Sequence, residues 1–274
     1  MMQKIIAVLN DFKTADDVLE KALELSSKQK AMLEILYVHE EPLFDIPDYF
    51  RSDESIKGNL VDKDKIKKEI EDRVSKIKDD HDFAVLVYIN DTTDRLVTLI
   101  KEDSDIFVIT AYHEKITKKL VKKSHFPVLV IKNRAKEYKK IVIPVEMSKG
   151  SLKCIDFAKT LFSRDKIRLL HDYRYIVNPY TMDINYLGVP SIEPTINIEI
   201  QEQKKESFEA LKKDTNLQGD FIEEDLSIEE DLAKFIEENG FDLTILCSDK
   251  KSFLSNSVFF SLLEILSTDV LIHS

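Results

Sequence analysis

The chain opens on an apolar run, residues 5–9, which ends near the acid Asp11 and gives way to Val18, Ala22 and Leu25, spaced four and three apart. A short unbroken apolar run predicts a strand buried on both faces, and the spacing that follows predicts a helix with one apolar face. From Lys139 the pattern recurs. Residues 141–145 form an apolar run, Glu146 follows, and Cys154, Ala158 and Leu161 repeat the helical spacing. The parallel continues through each copy. Second strands fall at 33–38 and 167–171. Ile66, Ile70, Val74 and Ile77 stripe a charged helix in the first copy, and a helix over 198–211 answers it in the second. Third strands fall at 84–89 and around Phe221. Asp91 and Ser227 cap the helices that carry Leu96 and Ile100, and Leu232 and Phe235. Fourth strands at 105–109 and 242–246, a last helix, and fifth strands at 127–131 and 270–273 complete each copy.

An internal repeat of this kind decides the architecture before any single motif does. Strands alternating with helices predict βαβ units with a parallel sheet. The fold class expected is α/β: two Rossmann-like domains, residues 1–133 and 138–274, each a five-stranded parallel sheet flanked by helices. The polar stretch 132–140 is the linker. In the second copy Pro179, Gly188, Pro190 and Pro194 predict an irregular excursion between strand and helix.

Composition narrows the function more than the fold. The chain of 274 residues is 43% apolar, 33% charged and carries a formal net charge of -11. That acidity argues against non-specific binding to nucleic acid or an anionic membrane. The first residues read as a strand and not as a leader, and no apolar stretch is long enough to span a bilayer. The two cysteines, Cys154 and Cys247, are read as unrelated, since no spacing suits a zinc site or a disulfide framework. A cytoplasmic location follows as the economical expectation. No histidine spacing suggests a metal site. Only 5 glycines occur, where average usage predicts about four times as many, so a glycine-rich phosphate loop has nowhere to sit.

Order, lengths and residue types together resemble the universal stress protein family, twice over. The first strand ends at an acid, with Pro144 two residues before Glu146 in the second copy. The second strand ends near Tyr37 or His171. The last helix leads into Pro127-Val128-Leu129-Val130-Ile131, whereas Thr268-Asp269-Val270-Leu271-Ile272 lacks the proline. The resemblance implies a tandem member acting as an intramolecular pseudo-dimer, with strand order 3-2-1-4-5 and fifth strands meeting antiparallel. Family members that bind ATP carry G-x-x-G-x9-G-[ST] after the fourth strand. Its glycines let the backbone approach the phosphates at a helix N-terminus. Neither copy keeps it. In the first copy its glycine positions fall on Thr110 and His113, and the helix begins at once with Glu114. In the second they fall on Cys247 and Lys250, the loop is shortened by four residues, and Asn256-Ser257 stands for Gly-Ser. Asp11 and Glu146 align with the acid at the adenosine end, and Val38 and Asp172 with the adenine-facing position.

Each candidate has a plainer alternative. Asp11 and Glu146 stand where open α/β sheets place ligands, but either can serve the turn into the following helix, as can Ser148. Lys115, Lys118, Lys119, Lys122 and Lys123 form a stripe that suits a phosphate or an acidic partner, or simply a solvated face. The terminal helix bearing Phe259 and Phe260 is apolar all round and is expected to be buried, by preference in an interface. Cys247 is expected to be a buried, inert thiol. The function expected is a non-catalytic stress-response protein with no cofactor, acting through protein contacts or an unidentified small ligand, as a homodimer or intramolecular pseudo-dimer. The alternative is a nucleotide-binding module (ATP or AMP) with slow ATPase activity retained in the second domain around Lys250 and Ser257.

Overall fold

The structure, a computed structural model, describes residues 3–39, 62–78, 81–89, 92–100, 105–123, 125–133, 137–146, 149–172, 194–223, 227–247 and 256–273. The chain divides into two compact units, Met1–Arg134 and Ala135–Ser274.

The first unit runs β1 (Lys4–Leu9), α1 (Ala15–Gln29), β2 (Met32–His39), α2 (Lys63–Ile77), β3 (Phe83–Ile89), α3 (Thr92–Ile100), β4 (Ile106–Ala111), α4 (Glu114–Lys123) and β5 (Val128–Ile131). Its sheet is parallel throughout, in the order β3-β2-β1-β4-β5. Residues 5–9 of β1 and 106–110 of β4 are all buried, as central strands covered on both faces must be. Helix α1 buries Val18, Ala22 and Leu25 on that sheet, with Asp16 and Asp17 in its first turn complementing the helix dipole. Helix α2 starts at Asp62, whose carboxylate accepts from the Lys65 backbone N–H. Of its four-residue stripe only Ile70 and Val74 are fully buried, and Ile77 is exposed, lining a shallow hollow with Leu23 and Ser27 of α1. The expected Asp91 cap lies outside the described residues.

The second unit repeats the plan with β6 (Ile141–Pro144), α5 (Lys149–Leu161), β7 (Ile167–Asp172), α6 (Pro194–Thr215), β8 (Gln218–Ile222), α7 (Ile228–Glu238), β9 (Leu243–Cys247), α8 (Asn256–Ile265) and β10 (Asp269–His273). The order is β8-β7-β6-β9-β10, again all parallel, so each unit has the 3-2-1-4-5 arrangement. Ser227 and Glu230 close a capping box at the start of α7, at the helix start read from the sequence. The excursion expected over 177–196 falls almost wholly outside the described residues, and the helix after it begins at Pro194, a residue suited to a first helical turn.

Two local departures have clear physical causes. The proline just before β5, Pro127, is replaced in the second unit by Asp269, the first residue of β10, which is fully buried and accepts a 2.7 Å hydrogen bond from the Tyr138 hydroxyl. The second unit therefore starts its last strand on a buried polar pair. Helix α8 is covered only in part by its own unit. Leu262 and Leu263, with Leu266 just past its end, are buried, Val258, Phe259 and Phe260 are half-buried, and Ile265 is 46% exposed. A ten-residue helix lying on a sheet covers one stripe, and apolar residues off that stripe stay partly in solvent.

Gly219 in β8 marks a place where side-chain space is absent. A Cβ there would stand 2.8 Å from the Phe208 ring, 2.9 Å from the Leu169 carbonyl oxygen and 3.0 Å from the Leu169 Cβ. Phe208 is fully buried and Leu169 is the strand partner of Gly219, so neither can step aside. Gly219→Ala is expected to lower the unfolding free energy of the second unit by about 1–3 kcal/mol, read as a shift in urea midpoint. An unchanged midpoint would mean that α6 sits further from β8 than described here.

Candidate functional site

In an open α/β unit ligands gather at the carboxyl ends of the central strands. At that edge of the first unit Asp11 follows β1. One of its carboxylate oxygens accepts from the Lys13 and Thr14 backbone N–H groups at 2.8 and 3.1 Å and from the Thr14 hydroxyl at 3.2 Å. Partial burial raises its pKa, but these hydrogen bonds and the Lys13 charge outweigh it, and the carboxyl lies below its usual range. Asp11 thus holds the turn into α1 through one oxygen.

The space beside Asp11 is filled by the unit's own side chains. Phe12 stacks on Tyr37 with ring centroids 5.1 Å apart, and the Arg73 guanidinium lies 5.1 Å from the Phe12 ring. Arg73 is held there by Asp16 at 2.6 Å and Glu69 at 3.0 Å. Burial, then the charges of Asp11 and Glu69, push the Tyr37 phenol up. Val38 is fully buried, so it faces packed interior and not an open cleft.

The connection from β4 to α4 is two residues long, Tyr112 and His113. Thr110 is buried at the end of β4, and its hydroxyl donates to the Ala111 carbonyl at 3.3 Å. The exposed His113 precedes the helix, and its backbone N–H donates to the Thr117 hydroxyl at 2.9 Å. Glu114 occupies the first turn and pairs with Lys118 at 3.3 Å. One donor that a phosphate would want is thus committed internally, and a carboxylate stands nearby. The lysine stripe of α4 points outward at Lys115, Lys119, Lys122 and Lys123, while Ile116, Thr117, Leu120 and Val121 are buried; Lys123 is tied to Asp94 at 2.9 Å.

The second unit carries different chemistry at the same edge. The Glu146 backbone N–H donates to Ser151 Oγ at 3.3 Å; the alternative cap Ser148 lies outside the described residues. His171 is fully buried, and its Nδ1 donates to the Val145 carbonyl at 2.6 Å, which fixes the neutral tautomer. Phe208 and Phe221 flank its ring at 5.7 and 5.5 Å. Burial, opposed by the Val145 hydrogen bond, brings its pKa down to about 4. Asp172 is likewise fully buried, and its charge opposes the burial that lowers the pKa of Lys204 on α6.

Cys247 closes β9 and is bonded to Cys154 of α5 in a disulfide, with Cα atoms 5.8 Å apart. This corrects the expectation of two unrelated thiols with Cys247 inert. Both cysteines belong to the second unit, and the helix after its first strand packs against its fourth. Lys250 lies outside the described residues. Ser257 is the second residue of α8, and its side chain is also outside them. Among the described residues no group of histidines, cysteines and acids is arranged to hold a metal ion, and no helix is long and apolar enough to cross a membrane.

No family model matches the sequence, and no curated protein matches it. Solved structures do match. A universal stress protein from Archaeoglobus fulgidus superposes over 100% of this chain and 97% of its own, with a TM-score of 0.66 at 11% identity. A protein of Pseudomonas aeruginosa UCBPP-PA14, provisionally named a universal stress protein, covers 99% of this chain and 93% of its own at a TM-score of 0.61 and 13% identity. A functionally unknown protein from Pseudomonas aeruginosa PAO1 gives 99% and 92%, with the same TM-score and identity. The fold is that of the universal stress proteins. The likeness spans both units, so the repeat seen in the sequence is a repeat of that fold.

Set on the universal stress protein fold, the candidate residues fall into two groups. Asp11 and Thr110 lie at the ends of adjacent strands, and His113 at the start of the helix that follows β4. Glu146 and Cys247 lie at the matching edge of the second unit. The internal plug of Phe12, Tyr37 and Arg73 was not singled out in the sequence, since an Arg 61 residues beyond a Phe carries no local signal. The Cys154–Cys247 pair had a signal. Cys154 takes the helix position of Val18, and Val18 faces the sheet, so aligning the repeats places Cys154 over the fourth strand.

Proposed function

We propose that this chain is a non-catalytic stress-response protein that works through protein contacts or a small ligand other than ATP. The observation that carries this is the two-residue connection from β4 to α4. A triphosphate needs a run of free backbone N–H groups and room for the chain to wrap it. Tyr112 and His113 provide neither, and Thr117 and Glu114 already occupy the helix start. The Phe12–Tyr37 stack under Arg73 adds to this by filling the neighbouring space from within.

Calorimetric titration of the purified protein with ATP and magnesium tests the reading. No heat and no co-purifying nucleotide are expected up to millimolar ATP. Binding in the micromolar range would overturn it, and loss of that binding in Ser257→Ala would place the nucleotide in the second unit.

A further inference from the structure

The second unit holds a pair of sulfurs in unequal surroundings. Cys154 is fully buried on the inner face of α5. Cys247 is half-buried at the carboxyl end of β9. Its in-register neighbour on β10 is His273, whose ring lies tilted against Phe157 with centroids 4.4 Å apart, one helical turn beyond Cys154. The exposed Lys153 is close enough to act electrostatically on His273. Cys247 thus has the partly exposed strand-end position at which a thiol can meet a small molecule, with the imidazole-bearing His273 as its neighbour, and Cys154 in its closed apolar layer does not.

We propose that this pair is a thiol–disulfide exchange site for small-molecule thiols and disulfides, with Cys247 as the sulfur that meets them and Cys154 as the internal resolving sulfur. In the oxidising direction the Cys247 thiolate attacks one sulfur of a small disulfide, R–S–S–R. That S–S bond breaks, and one R–S⁻ leaves with the electron pair and takes a proton. The Cys154 thiol then gives its proton to solvent and attacks the Cys247 sulfur, expelling the second R–S⁻. Two cysteine thiols are oxidised, one small disulfide is reduced to two thiols, and two protons pass from protein to product. Reduction reverses the sequence, starting with attack of R–S⁻ on Cys247. The geometry makes the route one-sided, because a small molecule cannot reach Cys154 without opening the α5–sheet layer.

The test uses the full chain and oxidised glutathione. Cys154→Ser, reduced and then exposed to the probe, is expected to keep one glutathione on Cys247. Cys247→Ser is expected to take up glutathione at least about tenfold more slowly. Wild type is expected to regain its internal bond without a lasting adduct. If either variant fails to fold, iodoacetamide labelling of reduced wild type, followed by mass spectrometry, gives the same comparison: Cys247 is expected to label at least about tenfold faster than Cys154. Equal rates at the two cysteines would overturn the assignment. So would full labelling of both in unreduced protein, since no bond would then exist to exchange.

Discussion

Reducing the Cys154–Cys247 bond should lower the unfolding free energy of the second unit by about 2–5 kcal/mol, which makes it one of the largest single effects available in this chain. The argument is one of chain entropy. The two cysteines are 93 residues apart, so the bond closes a loop that spans most of the unit. A loop of that length restricts the unfolded ensemble by about 4–5 kcal/mol in the simplest treatment, and native cross-links commonly deliver somewhat less. In the folded state little is expected to change, because α5 packs on β9 and Cys154 is buried among apolar neighbours. The loss therefore comes mainly from the unfolded side. Urea unfolding with and without dithiothreitol measures it. The first unit contains no cysteine and serves as an internal control: amide exchange should quicken in the second unit alone. A Cys154→Ala/Cys247→Ala double variant should behave as the reduced protein does. An identical midpoint in both buffers would mean that the sulfurs are not bonded in solution.

That bond also shows where sequence reasoning stopped. The strand order within each unit came from the family resemblance. The strands and the parallel character of each unit's sheet were legible because they follow from repeated local patterns: apolar runs such as residues 5–9, helical spacings such as Val18-Ala22-Leu25, and the cap at Ser227. Each of these signals lies within a dozen residues. The features that sequence reasoning missed depend on residues brought together from far apart. At the ligand edge of the first unit Arg73 reaches Phe12 across 61 positions, and at the opposite end of the second sheet, where β10 begins, Asp269 meets Tyr138 across 131. No periodicity encodes such pairs. The two-residue link at Tyr112 and His113 is the exception. It was readable as a missing loop, because the last apolar residue of β4 and the first acidic residue of α4 nearly touch in the sequence. The apolar α8 was legible only in part for a different reason. Composition reports how greasy a helix is, but only packing decides how much of it its own unit covers.

Acidification should destabilise the second unit through His171, by about 3 kcal/mol once the pH is below about 4. The side chain is fully buried between the rings of Phe208 and Phe221. Its folded pKa is about 4 against the ordinary 6.5; burial lowers it most, the Val145 carbonyl opposes that, and Lys204 and Asp172 act in opposite directions. Above pH 6.5 both the folded and unfolded chains hold a neutral imidazole, and no penalty exists. Between 6.5 and about 4 the unfolded chain takes up a proton that the folded chain refuses, so stability falls by up to about 1.4 kcal/mol for each pH step. Below about 4 the folded form is also protonated, and the loss from this group is complete. Other carboxylates titrate over part of the same range, so the informative quantity is a difference between proteins. His171→Gln keeps a side-chain N–H to offer the Val145 carbonyl but has nothing to titrate. It should be less stable than wild type at pH 7, and the gap should close as the pH falls toward 4. If the two stability curves run parallel from pH 7 to 4, His171 titrates with an ordinary pKa and the pocket around it is open to water. Imidazole resonances of the folded protein give the direct check: the His171 ring should remain neutral to below pH 5, where a histidine of ordinary pKa is already charged.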